Sequence, residues 1–395
     1  MATGQSHPHS HQHPAGEFAS RDTARVLRLL VIACGVAVVF GAALLWPSGS
    51  RTTDPLGLQA DPVDAHVVAV EELPCAGIPD QTCAVVSFEL RSGPQAGTAG
   101  SMEQSLETTI RTGDDIRVGA ADLGGGGGTA FSFYDFQRST PLILLVLLFV
   151  AAVVALGRWR GVGAIVGLAA SLVVIVWFAL PSLTDGHSAV AVALVTAGAV
   201  AILALYLAHG FGPATDVALL STFASLAITG VLAWIFVEAA RFTGLTDDAT
   251  FVLQSLGTVI DPRGILLAGI VIGSLGVLDD VTVTQVSAVW ELHDSRPDAP
   301  RRELFTRALT IGRDHISSTV NTLFLAYAGA ALPLLLLFSG VGESVTGVAT
   351  REVVAIEIVR ALVGSIGLVA SVPISTALAV QVVGTARIGR RRIAR

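Results

Sequence analysis

Residues 141–180 read PLILLVLLFVAAVVALGRWRGVGAIVGLAASLVVIVWFAL. Two apolar runs flank one short polar break, and Arg158 and Arg160 carry the only charges in the stretch. Crossing about 30 Å of hydrocarbon takes about 20 helical residues. Each run is close to that length, so the stretch predicts two membrane-spanning helices. Outward from it, the same pattern recurs. Spans are predicted at 29–46, 141–157, 162–180, 188–208, 215–237, 264–282, 317–339 and 361–383. The fold class is an all-α polytopic membrane protein of about eight transmembrane helices.

Composition agrees. Of 395 residues, 52% are hydrophobic and 14% charged, and mean hydropathy is +0.69. Soluble domains carry about 25% charged residues. A set of water-soluble domains is excluded, and so is disorder except locally. The formal net charge is −7, and every basic residue is Arg. No basic face interleaves with aromatics, so the expected partner is the lipid bilayer and not nucleic acid.

Arg in short loops sets orientation. With the N-terminus in the cytoplasm, Arg25, Arg28, Arg158, Arg160, Arg301, Arg302, Arg307, Arg313 and the Arg-rich tail 384–395 all lie inside. The short outside loops hold Arg241, Arg263 and Arg351. Both termini are therefore expected to be cytoplasmic. The first span, 29–46, lacks a clean small-x-small cleavage site, because Trp46-Pro47 stands there, and is read as an uncleaved anchor.

Residues 1–28 form a polar tail in which His7, His9, His11 and His13 alternate with Pro, Ser and Gln. A solvated tail is the plain reading. A weak site for zinc, nickel or copper is the alternative, since neutral imidazoles are good ligands for those ions. Residues 47–123 read as a small extracytoplasmic β domain, a barrel or a sandwich. AHVVAV (65–70), CAVVSFEL (83–90), SLETTI (105–110) and DIRV (115–118) are short β-prone runs. The Gly-rich residues 124–140 are expected to link it to a seven-helix bundle at 141–383. Cys75 and Cys83 lie in the β domain, where an oxidising compartment permits a disulfide. Closing so short a loop would add about 2–3 kcal/mol in the chain-entropy view. Two free thiols are the alternative. Cys34 falls in the first span.

Polar residues at membrane depth are functional candidates by default. Along the sixth span Gly269, Gly273, Gly276, Asp280, Thr284 and Ser287 share an arc of about 80°. Glycines at that spacing permit close helix approach. The seventh span opens with Arg313 and with Asp314, Ser317, Ser318 and Asn321 on one face, Tyr327 lying opposite. The eighth begins with Glu357 and Arg360, spaced to interact as i, i+3.

Three segments carry a family resemblance. GSLGVLDDVTVTQ (273–285), IGRDHISSTVNTLFLAYAG (311–329) and EIVRALVGSIGLVASVPIST (357–376) resemble the YibE/F family of bacterial multi-pass membrane proteins. AHVVAVEE and VSFELRSGPQAGT…GDDIRV are similar in arrangement, so the resemblance runs from about residue 65 to 385. It matches the family's sixth-span acid to Asp280 and leaves Asp279 as an additional one. It implies a protein of the bacterial cytoplasmic membrane, in a family sometimes described as transporters.

The expected function is a transporter or channel for a small polar solute or ion. Its path candidates are Asp280, Thr284, Arg313, Asp314, Ser318, Asn321, Glu357 and Arg360. The rival is a non-transporting scaffold or sensor whose β domain binds an envelope partner. No enzyme and no cofactor are expected: GxxxxGK[ST], GxGD and GxSG are all absent. The sequence leaves the oligomeric state open.

Overall fold

The computed structural model describes residues 21–48, 62–75, 82–105, 109–122, 129–245, 261–340, 342 and 344–384. The chain divides into two compact units, Arg51–Ala155 and Met1–Ser50 with Leu156–Arg395. The polar His7, His9, His11 and His13 lie outside the described residues.

The smaller unit holds β1 (Val63–Pro74), β2 (Thr82–Leu90), β3 (Ala99–Ser105), β4 (Asp115–Asp122) and β5 (Thr129–Phe136). They form one antiparallel sheet in the order β3-β2-β1-β4-β5. Period-two alternation buries Ala84, Val86, Phe88 and Leu90 of β2 against Val67, Ile116 and Val118. A bulge between Val67 and Ala69 bends β1. The sheet curls until Phe88 meets Phe131 of the far strand edge-on at 5.4 Å. Gly100 of β3 sits where a Cβ would come within 2.7 Å of Phe88. The result is a partly closed barrel. Cys75 and Cys83 are joined by a disulfide. Two strands differ from the sequence reading. The third described strand lies at 99–105, residues 106–108 of the predicted run 105–110 lie outside the described residues, and residues 129–136, read as linker, form β5. FSFYDF supplies the alternating aromatics that close the barrel.

The helices are α1 (Arg21–Leu44), α2 (Ser139–Val174), a π-helical turn at Ile175–Ala179, α3 (Leu180–Thr184), α4 (Ala189–His209), α5 (Pro213–Ala239), α6 (Pro262–Ser295), α7 (Arg301–Ala330), α8 (Leu332–Gly340), α9 (Val345–Thr350) and α10 (Glu352–Gly384). Six described helical stretches are long and apolar enough to cross a membrane, and seven if α7 and α8, bent by 58°, make one span. The predicted spans 141–157 and 162–180 fall in one stretch, Ser139–Thr184, interrupted where Arg158 leaves helical geometry at φ 50°, ψ −131°. Residues 301–312, which precede the predicted seventh span, are continuous with it as α7. The chain is thus mostly helical, with the long apolar helices of a multi-pass membrane protein.

In the larger unit α5, α6 and α10 pack on one another, α4 lies on α6, and α7 lies on α10 and α6. Leu219, Leu226, Leu275, Leu278, Leu368 and Val372 fill the centre. Small residues bring the backbones together: a Cβ on Gly312 would run into Val372 and come within 2.7 Å of the Gln285 Oε1. At the far end the Glu352 carboxylate accepts from the backbone N–H groups of Thr243 (2.6 Å) and Gly244 (2.9 Å), pinning the chain after α5 to the start of α10.

Candidate functional site

Glu357 and Arg360 stand one turn apart on α10. The Arg360 Nη1 donates to Glu357 Oε1 at 2.6 Å. Their side chains keep only 23% and 27% of their surface exposed. A charge pair held partly out of water in an apolar bundle carries a desolvation cost that its own attraction offsets only in good geometry. The Arg360 Nε is buried and has no hydrogen-bond partner.

Two neighbouring helices converge on this pair. A Cβ on Gly269 of α6 would lie 3.9 Å from Arg360 Nη2, and one on Gly273 would lie 3.5 Å from the Tyr327 phenolic oxygen of α7. The glycine face of α6 therefore makes room for Tyr327 of α7 and Arg360 of α10. Beside them a cleft of about 370 Å³ opens between α7, α8, α9 and α10, with Tyr327, Ala328, Leu335, Ala349, Val354 and Glu357 among its walls. The 58° bend between α7 and α8 shapes one side.

A second polar zone lies inside the bundle. Thr222 of α5 and Thr282 of α6 share a hydrogen bond of 2.8 Å. The Gln285 Nε2 donates to the Ala308 carbonyl (2.8 Å) and to Thr376 Oγ1 (2.7 Å), joining α6, α7 and α10. The buried hydroxyls of Ser221, Thr229, Ser274, Ser371 and Ser375 donate to carbonyls of their own helices. Asp216, buried at the start of α5, accepts from the Tyr206 hydroxyl at 2.7 Å. The Thr222–Thr282, Gln285 and Tyr206–Asp216 contacts join helices and act as interhelical adhesive, while the other hydroxyls are satisfied within their own helices.

The residues expected along a path divide accordingly. Glu357 and Arg360 come together with Tyr327. Asp280, Thr284, Arg313, Asp314, Ser318 and Asn321 are exposed on the faces of α6 and α7 that point away from the packed core. On α6 the glycine stripe reaches neighbours at Gly269 and Gly273, but nothing lies within 4 Å of a Cβ on Gly276. Asp279 is the acid that turns inward, its Oδ1 buried without a partner. Sequence reasoning missed Tyr327, Asp279, Thr282 and Gln285. The legible signal for the last two was a polar residue in the row Leu275, Leu278, Thr282, Gln285, Val289. Among the described residues no group of three or more His, Cys, Asp or Glu side chains is arranged to hold a metal ion.

A model of the YibE/F-like protein family matches residues 145–385. No curated protein and no solved structure matches the chain.

Proposed function

The chain belongs to the YibE/F-like family, and from that premise we propose that it is a transport protein of the bacterial cytoplasmic membrane that moves a small polar solute. Both termini face the cytoplasm, and the β unit stands on the other side. It carries out no catalysis. The observation behind this reading is the half-buried Glu357–Arg360 pair facing Tyr327 beside a cleft, on a helix, α10, that is long and apolar enough to span a bilayer. Such a pair stabilises a fold poorly against apolar residues of the same volume. Its position beside open space fits groups that meet a solute. The test is solute flux in vesicles with and without the protein, polar solutes and ions being scanned in turn. Flux that Glu357→Gln leaves unchanged for every solute transported rules out this site.

A second reading is a scaffold whose β unit binds an envelope partner. It draws on Val68 and Tyr134, which stay 57% and 61% exposed on a small barrel. Absence of flux together with co-purification that Tyr134→Ser abolishes favours it.

A further inference from the structure

The cleft beside Glu357 has a chemistry that narrows its occupant. Its volume of about 370 Å³ falls in the range of small-molecule sites, about 300–1,000 Å³. Phe324, Ala331, Leu335, Val348, Val354 and Ile358 give it apolar walls. The Ser339 hydroxyl at its edge is already committed to the Leu336 carbonyl at 2.8 Å. The polar groups left to meet an occupant are the Tyr327 phenol, the Glu357 carboxylate and, as an acceptor only, the Ser339 oxygen.

An ion entering such walls would shed its hydration against one carboxylate that Arg360 already neutralises. An anion finds no counter-charge among the residues lining the cleft, and a cation would have to share Glu357 with Arg360. A carboxylate offers about four lone-pair positions. Arg360 takes one of them on Oε1. Glu357 can therefore accept a further hydrogen bond from an uncharged donor.

We infer that the cleft binds an uncharged amphiphile, with its apolar body between α7, α8, α9 and α10 and a hydroxyl or amide end donating to Glu357. This rests on the transport reading of the same site and revises its solute from a small polar one to one that is polar only at one end.

The test uses the full chain in phosphatidylcholine vesicles and a long-chain alcohol bearing a photoreactive diazirine. After irradiation, adducts are expected to concentrate between residues 324 and 361. Excess unlabelled alcohol should displace them, and the matching long-chain amine or fatty acid should displace them far less. Ala328→Trp on α7 and Ala349→Trp on α9, both filling the cleft, should each remove the labelling while the unfolding temperature stays close to that of the wild type. Glu357→Gln should weaken displacement by up to about tenfold, as a hydrogen bond to a charged acceptor becomes one to a neutral amide. Adducts spread over the outward faces of α1 and α2 without displacement overturn the inference. So does equal displacement by alcohol, amine and acid, or labelling that survives both tryptophan variants. Labelling is an equilibrium readout independent of flux. Displaceable labelling without flux of any solute sinks the transport reading and leaves the site standing. Flux without displaceable labelling sinks the amphiphile alone.

Discussion

Thr229 of α5 occupies the space in which a side chain at Gly367 of α10 would stand: a Cβ there would collide with the Thr229 hydroxyl. Overpacking of this kind costs about 1–3 kcal/mol. Gly367→Ala is expected to lower the unfolding temperature of the purified protein, and adding Thr229→Ala should restore part of it. Gly276→Ala is the contrast. With nothing within 4 Å of its Cβ, it should leave the unfolding temperature unchanged or raised. Equal losses for Gly367→Ala and Gly276→Ala would contradict this packing.

Gln285 ties three helices through one amide. Gln285→Leu keeps the volume but leaves the Ala308 carbonyl and the Thr376 hydroxyl without their donor. Hydrogen bonds between membrane helices are worth about 0.6 kcal/mol on average and up to about 1.7. The expected loss is about 1–2 kcal/mol, read from unfolding in a denaturing detergent. Thr376→Val in the Gln285→Leu background should cost less than it does alone, since the pair is one network.

How much of this was legible follows from where each feature gets its information. The spans depend on local composition, so the runs around Arg158 showed themselves. The turn of Tyr327 away from the Asp314 face followed from helical spacing alone. That Tyr327 meets Gly273, and Arg360 meets Gly269, depends on how α6, α7 and α10 pack. Segments far apart in sequence set that packing, and no period within any one of them records it. The stripe on α6 was read as one surface, yet its glycine end meets side chains and its acidic end is exposed. In the β unit, the strand Thr129–Phe136 was overlooked because the Gly run before it marks a tether, although Phe131 and Phe133 alternate as a strand requires.

The β unit has its own pH dependence. The Arg138 guanidinium, 2.7 Å from Asp135, and the Phe136 N–H, at 2.8 Å, hold the Asp135 carboxyl below the usual carboxylate range. A carboxyl lowered on folding adds stability above its unfolded value, about 3.9. That contribution disappears as pH falls through the lower folded value. Both groups are exposed, so the effect is small. Hydrogen-exchange protection of 129–136 should fall more in the wild type than in Asp135→Asn between about pH 5 and pH 2. Parallel falls would exclude the Asp135–Arg138 contact as the cause.

Orientation is open to a direct check in a Cys34→Ser background that keeps Cys75 and Cys83. Ala96→Cys and Val345→Cys should react with an impermeant maleimide on intact cells, and Pro297→Cys only after permeabilisation. All three positions are exposed on the chain, so a lack of reaction reports the membrane and not burial. Labelling of Pro297→Cys from outside reverses the proposed topology. The native cysteines should stay silent until a reductant opens the Cys75–Cys83 bond.

The last prediction separates the two groups of polar residues. Asp280 and Asp314 are exposed on the outer faces of α6 and α7, whereas Glu357 is half-buried, paired with Arg360 and on the wall of the cleft. If the cleft is where a solute binds, removing charge at Glu357 acts on binding and removing it at the two aspartates does not. Asp280→Asn with Asp314→Asn should therefore retain transport, or rescue of a deletion strain, within about twofold. Glu357→Gln should reduce it by about tenfold or more, as expected when one charge-assisted contact worth about 1.5–3 kcal/mol is lost. Arg360→Lys keeps the charge but loses the planar donor set that meets Glu357, and should fall between them. The opposite ranking, with the paired aspartate variant inactive and Glu357→Gln active at normal abundance, moves the path to the exposed faces of α6 and α7.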